Sequence, residues 1–118
     1  MNLICHCGNV KISVAEKPDS LTGCNCSICH RYGSLWGYYP PEEVSIQFES
    51  EASRAYSWGD KNIDFHHCGR CGCVTHYVTT EKVSKPKVGV NFRMAEAKEV
   101  ESIKIRKLDG ADSWEYLD

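Results

Sequence analysis

Eight cysteines fall in three tight groups within 118 residues: Cys5 and Cys7 in "CHCG", Cys24, Cys26 and Cys29 in "CNCSIC", and Cys68, Cys71 and Cys73 in "CGRCGC". Thiols this close together form a disulfide framework, a redox device or a metal site, and the compartment separates these options. The start "MNLICHCGNV" has no basic segment followed by a long apolar one, and no window approaches the roughly 18 apolar residues of a membrane helix. The expected location is therefore the cytoplasm, where thiols stay reduced and clustered cysteines with short spacings serve as metal ligands more often than as cross-links.

Tetrahedral zinc, with a zinc to sulfur distance of about 2.3 Å, places neighbouring sulfurs about 3.8 Å apart, and a C-x-x-C turn helped by glycine meets that directly. "CGRCG" at 68–72 is such a turn. Residues i and i+2 of a flat strand stand about 6.6 Å apart, so each C-x-C pair must lie on a bend. Gly8 after Cys7 and Asn25 between Cys24 and Cys26 suit such bends.

A structural zinc site takes four protein ligands, whereas a catalytic one commonly takes three and keeps a position open. Cys5, Cys7, Cys68 and Cys71 make one closed site, which ties the N-terminal hairpin to the middle of the chain and closes a loop of about sixty residues. Cys24, Cys26 and Cys29 then hold a second zinc with an exchangeable fourth ligand. The competing division is two closed sites without chemistry, in which Cys73 or a histidine completes the triplet. Cys73 lies at the start of an apolar strand, where a small buried thiol is its simplest role.

The rest of the chain is β-rich. Short runs with β-branched and aromatic residues recur between turn signals: 9–14, 34–39, 44–48, 54–58, 63–68, 74–80, 86–92 and 102–108. Val10, Ile12, Val14 and Val44, Ile46, Phe48 alternate with period two. Helix is expected only in short pieces, around "YPPEE" at 39–43 and "MAEAKEV" at 94–100. No repeat or linker divides residues 1–118, which are expected to form a single zinc-binding domain. A formal net charge of −2 with no basic stripe argues against an electrostatic nucleic-acid binder.

The motifs "CHCGNV" at 5–10, "CNCSICHRYGS" at 24–34 and "CGRCG" at 68–72, in this order, resemble the glutathione-dependent formaldehyde-activating enzyme family, which shares its domain with the centromere protein V proteins. The resemblance implies an Mss4-like fold of several coiled, mostly antiparallel sheets, with zinc at both sites. It also implies that Cys5, Cys7, Cys68 and Cys71 are structural ligands and that Cys24, Cys26 and Cys29 are catalytic-type ligands. The implied reaction is carbon-sulfur lyase chemistry on a thiol adduct of an aldehyde, with a small-molecule thiol such as glutathione as partner. Three thiolates leave a zinc complex that is a weak Lewis acid but a good holder of one more thiolate. The alternative function is a non-catalytic, zinc-stabilised β domain that serves as a binding module. The chain departs from the common family pattern at His30, where a second arginine is usual, and at His67, where an aromatic residue is usual.

Other residues near the motifs admit two readings each. Arg31 is placed to meet a carboxylate of the substrate, or to neutralise the thiolates or form a surface ion pair. Tyr32, Trp36, Tyr38 and Tyr39 could line a pocket or form a core strand, with Trp36 the best candidate for a wall residue beside the metal. His66 and His67 alternate on a strand, so one of them at most faces the metal region. His6 is expected to point outward and His76 to be an ordinary strand residue. The acidic tail "LDGADSWEYLD" at 108–118 reads as a solvated terminus in which Trp114 and Tyr116 are able to dock.

Overall fold

A computed structural model describes residues 1–118. The strands are β1 (Asn2–Ile4), β2 (Val10–Val14), β3 (Ser20–Cys24), β4 (Trp36–Tyr39), β5 (Val44–Phe48), β6 (Arg54–Ser57), β7 (Ile63–His67), β8 (Val74–Thr79), β9 (Val88–Asn91) and β10 (Lys104–Leu108). Two short helices, α1 (Ser27–Tyr32) and α2 (Ala97–Val100), interrupt them. A small antiparallel sheet has the order β1-β2-β5, and a seven-stranded sheet has the order β10-β3-β4-β9-β8-β7-β6. The expected mainly β, mostly antiparallel fold is what the structure shows, with one parallel pair, β10 on β3. No helix is long and apolar enough to cross a membrane.

Alternation along β2 turns Val10, Ile12 and Val14 inward and leaves Lys11 and Ser13 exposed. These side chains meet Leu21, Val88 and Val90 of the larger sheet, with Phe92 and Tyr39 stacked beside them. Cys5 and Cys68 belong to this same core. A second, smaller cluster joins Cys29, Trp36, Phe65 and Tyr77, against which Cys24 and Cys26 pack. Each thiol group thus sits on one of the two places where this small chain buries apolar surface.

The expected helical pieces are present in reduced form. "YPPEE" contributes a 3-10 turn at Pro41–Glu43, while "MAEAKEV" overlaps a second 3-10 turn at Phe92–Met94 and contributes α2. The structure corrects that expectation by adding α1, which begins inside the cysteine triplet. Cys26 is its N-cap, with a sulfur that accepts the Cys29 amide, and Gly33 closes its C-terminus. Capping preferences rest on oxygen side chains, so a thiol cap gives no ordinary helix-start signal. Strands β1 and β3 were also not expected. β1 is three residues long, and β3 reads "SLTGC" and exists because β4 and β10 pair with it on either side.

The C-terminal tail docks. Leu108 pairs with Tyr116, and the Leu117 amide donates to the Lys107 carbonyl at 2.8 Å. The Tyr116 hydroxyl and Thr22 Oγ1 are 2.8 Å apart, the Arg106 guanidinium lies 3.7 Å from the centre of the Tyr116 ring, and Asp118 accepts ion pairs from Lys104 and Arg106. The solvated terminus is replaced by a strap folded back on β3 and β10.

Candidate metal centres

Two turns that lie far apart in sequence form the first cluster. In the β1–β2 turn the Cys5 amide donates to the Val10 carbonyl at 3.0 Å, and Gly8 takes φ +85°. In the β7–β8 turn Gly72 takes φ +80° and its amide donates to the Cys68 carbonyl at 3.0 Å. Positive φ is the backbone that glycine adopts at little cost, and it folds each turn tightly enough to aim two sulfurs one way. The sulfurs of Cys5, Cys7, Cys68 and Cys71 all lie within 4.8 Å of one another. Cys5 to Cys7 is 3.8 Å and Cys7 to Cys68 is 3.6 Å, the spacing of sulfurs around a tetrahedral zinc and far too long for a disulfide.

N–H groups point at these sulfurs. Val10 N donates to Cys5 Sγ at 3.2 Å, and Arg70 N and Cys71 N donate to Cys68 Sγ at 3.3 and 3.5 Å. Burial raises the Cys71 thiol, but the amides of Cys73 and Cys7 outweigh it and bring the pKa down to about 6. For Cys68, burial likewise raises and the Cys71 and Arg70 amides lower by more, so the net shift is downward. An all-sulfur set already solvated by amide donors fits a zinc ion. Cys73 belongs to neither thiol cluster, and its carbonyl accepts from the Cys68 amide at 2.9 Å.

Asn9 is a residue that the sequence reading missed. It is buried, and its Oδ1 accepts from Ser50 N, Ser50 Oγ and Glu51 N at 2.8, 3.1 and 3.1 Å. Its Nδ2 donates to the Glu51 carbonyl at 2.8 Å and to Cys68 Sγ at 3.6 Å. The side chain therefore clamps residues 50–51 to the four-thiol cluster. Beside "CHCG" an asparagine reads as a turn residue, and its position is out of phase with the buried face of β2, so only the folded chain reveals it. Asn9→Ala is expected to cost about 3 kcal/mol, because it removes a buried side chain that satisfies three part-buried donors and one thiolate acceptor at once. Urea unfolding checks this, and a loss below about 1 kcal/mol would place Asn9 outside the clamp.

The second cluster lies where β3 runs into α1. Cys24 ends the strand, Asn25 makes the bend, Cys26 caps the helix and Cys29 lies one turn in. Their three sulfurs lie within 4.8 Å of one another, and no fourth cysteine, histidine or carboxylate joins them. Cys26 N donates to Cys24 Sγ at 3.5 Å, Cys29 N to Cys26 Sγ at 3.4 Å and Trp36 Nε1 to Cys29 Sγ at 3.3 Å. Burial pushes the Cys29 thiol well above the usual range, with the Trp36 N–H opposing it in part. Burial also raises Cys26, but the Cys29 amide and its neighbours lower it by more. This donor set fits a metal ion bound on one face and open on the other.

The open face looks into a cavity of about 780 Å³ with mostly apolar walls. Trp36 stands edge-on to Tyr77 at 5.0 Å, Phe65 packs on both, and Tyr38 lines the same space. The aromatic stretch divides its work: Trp36 and Tyr38 face the cavity, whereas Tyr39 turns into the main core. Tyr32 and Arg31 line a neighbouring depression of about 350 Å³ that meets the cavity at Ser27, Ile28 and Trp58. Arg31 is exposed, and its Nη1 donates to the Ser27 carbonyl at 2.8 Å. His30 and His6 are exposed. His66 stacks on His76 with ring centres 4.5 Å apart, and its Nδ1 is 2.8 Å from Ser53 Oγ. His76 is buried, and burial followed by the neighbouring His66 lowers its pKa to about 3, so it is neutral.

Fold and site together define a β-rich domain with one four-thiol cluster in its core and one three-thiol cluster on the wall of an aromatic cavity. Residues 1–106 match the family described as glutathione-dependent formaldehyde-activating enzyme, and the chain belongs to that family. The fold is shared with a protein of Rhodobacter sphaeroides of known crystal structure, at a TM-score of 0.71 and 22% identity, over 89% of this chain and 99% of that one. Among curated proteins no match to the chain is found.

Proposed function

We propose that residues 1–118 work as one zinc-stapled unit in the cytoplasm and that the Cys24, Cys26 and Cys29 site joins a thiol to an aldehyde and reverses that reaction. Glutathione is the proposed thiol, as the family description suggests. Cys5, Cys7, Cys68 and Cys71 would hold a structural zinc, and the triplet a catalytic-type zinc. The observation that carries the reading is that three sulfurs converge beside a cavity and no fourth protein donor caps them. A zinc ion held there supplies a place where an incoming thiol loses its proton and stays nucleophilic at neutral pH.

The chain's own groups do the rest. The Trp36 N–H fixes the Cys29 sulfur, and the cap at Cys26 fixes the second sulfur to the start of α1. Trp36, Phe65 and Tyr77 give the site apolar aromatic walls beside the three sulfurs. In the forward direction the sulfur forms a bond to the carbonyl carbon and the carbonyl oxygen takes a proton. In reverse, the hydroxyl proton leaves as the carbon-sulfur bond breaks. Arg31, at the neighbouring depression, is placed to meet a carboxylate of a thiol long enough to cross Ile28 and Trp58.

Native mass spectrometry of the zinc-loaded protein with and without glutathione tests this, together with a screen of thiols against aldehydes. The expected result is two zincs, one of which gains a thiol, and turnover with at least one pair. Two inert zincs that ignore thiols would instead make the domain a binding module.

A further inference from the structure

Residues 109–118 lie beyond the stretch that the family shares, residues 1–106, yet they build one side of the cavity at the triplet. Asn25 holds the start of this strap: its Nδ2 donates to Asp109 Oδ1 and its Oδ1 accepts from Ala111 N, both at 2.9 Å. Gly110 lies so close that a Cβ there would collide with Cys24 Sγ. The wall is therefore in contact with the candidate metal ligands.

Trp114 is the unusual residue of the strap. Its backbone takes φ +61°, a conformation bulky residues rarely adopt, and its side chain is 70% exposed although it lines the cavity. Strain of this kind concentrates at ligand sites, and a ligand that covered the indole would remove apolar surface from water. Lys87 is the only cation of the lining, and Asp60 is the only carboxylate. The Lys87 ammonium lies 4.3 Å from the centre of the Tyr38 ring and has no ion-pair partner, since the chain's ion pairs are those of Lys104 and Arg106 with Asp118. Burial lowers its pKa, a cost that an anionic ligand would offset.

Building on the reading of the triplet as a thiol site, we propose that Trp114 and Lys87 select which thiol enters. The favoured thiol carries an apolar portion, which lies against Trp114, and a carboxylate, which meets Lys87. Of the two selecting residues, Trp114 lies beyond the stretch matched to the family and Lys87 lies within it.

The test is calorimetry on the zinc-loaded full-length protein with three probes: 4-(mercaptomethyl)benzoate, benzyl mercaptan and mercaptoacetate. The first is expected to bind about tenfold more tightly than either of the others. Lys87→Gln should erase its advantage over benzyl mercaptan, and Trp114→Ala its advantage over mercaptoacetate, with two zincs retained in both variants. Equal binding of the three thiols, or an unchanged ranking in the variants, overturns the selection and leaves the thiol site standing. Binding of none of them overturns the selection, while the thiol reading itself stands or falls on whether the zinc-loaded protein takes up glutathione.

Discussion

Cys68→Ser is expected to give a chain without a cooperative thermal transition. Cys68 is 1% exposed, sits in the main core and accepts hydrogen bonds from Asn9, Arg70 and Cys71. A structural zinc contributes about 10–16 kcal/mol in zinc-finger peptides, as much as the about 5–15 kcal/mol that separates a whole domain from its unfolded state. Losing one ligand of four also weakens the tie between the β1–β2 turn and the β7–β8 turn. Circular dichroism during heating, with zinc counted by mass, reads the outcome. A variant that melted cooperatively within a few degrees of the parent would show that the four thiols are not the staple.

Cys26→Ser should behave in the opposite way. Serine is a better N-cap than most residues, so its hydroxyl can take over the bond from the Cys29 amide and α1 should persist. The variant is expected to fold, to keep one tightly held zinc and to lose thiol–aldehyde turnover by about 10³-fold, equivalent to about 4 kcal/mol of transition-state stabilisation. Zinc content and single-turnover kinetics check the two halves of this expectation separately. A molten Cys26→Ser chain would mean that both clusters are structural.

The contrast between these two cysteines shows what the sequence carried and what it did not. Ligand grouping was legible in part because C-x-x-C and C-x-C with nearby glycine or asparagine can converge sulfurs, and of the two divisions left open the structure brings Cys5 and Cys7 to Cys68 and Cys71 and leaves the triplet without a fourth cysteine or histidine. Strands such as β2 and β5 were legible from strict alternation. Helix α1 was not, since its cap is a thiol, and β3 was not, since "SLTGC" becomes a strand only through its neighbours. Long-range polar contacts left no local trace: Asn9 reaches Glu51 across 42 positions, and Thr22 meets Tyr116 across 94. The cavity was half visible, with Trp36 placed beside the triplet by proximity, whereas Phe65, Tyr77 and the tail arrive from elsewhere in the chain.

Strand β10 pairs in parallel with β3, and the Asn25 amide donates to the Leu108 carbonyl at 3.2 Å. Because synthesis proceeds from the N-terminus and domains form as their residues emerge, the four-thiol cluster is complete once Cys71 has left the ribosome. The triplet, by contrast, keeps a bare strand edge at β3 until residues 104–108 of β10 are made. All four thiols of the first cluster thus precede in synthesis the strand that closes the edge beside the second.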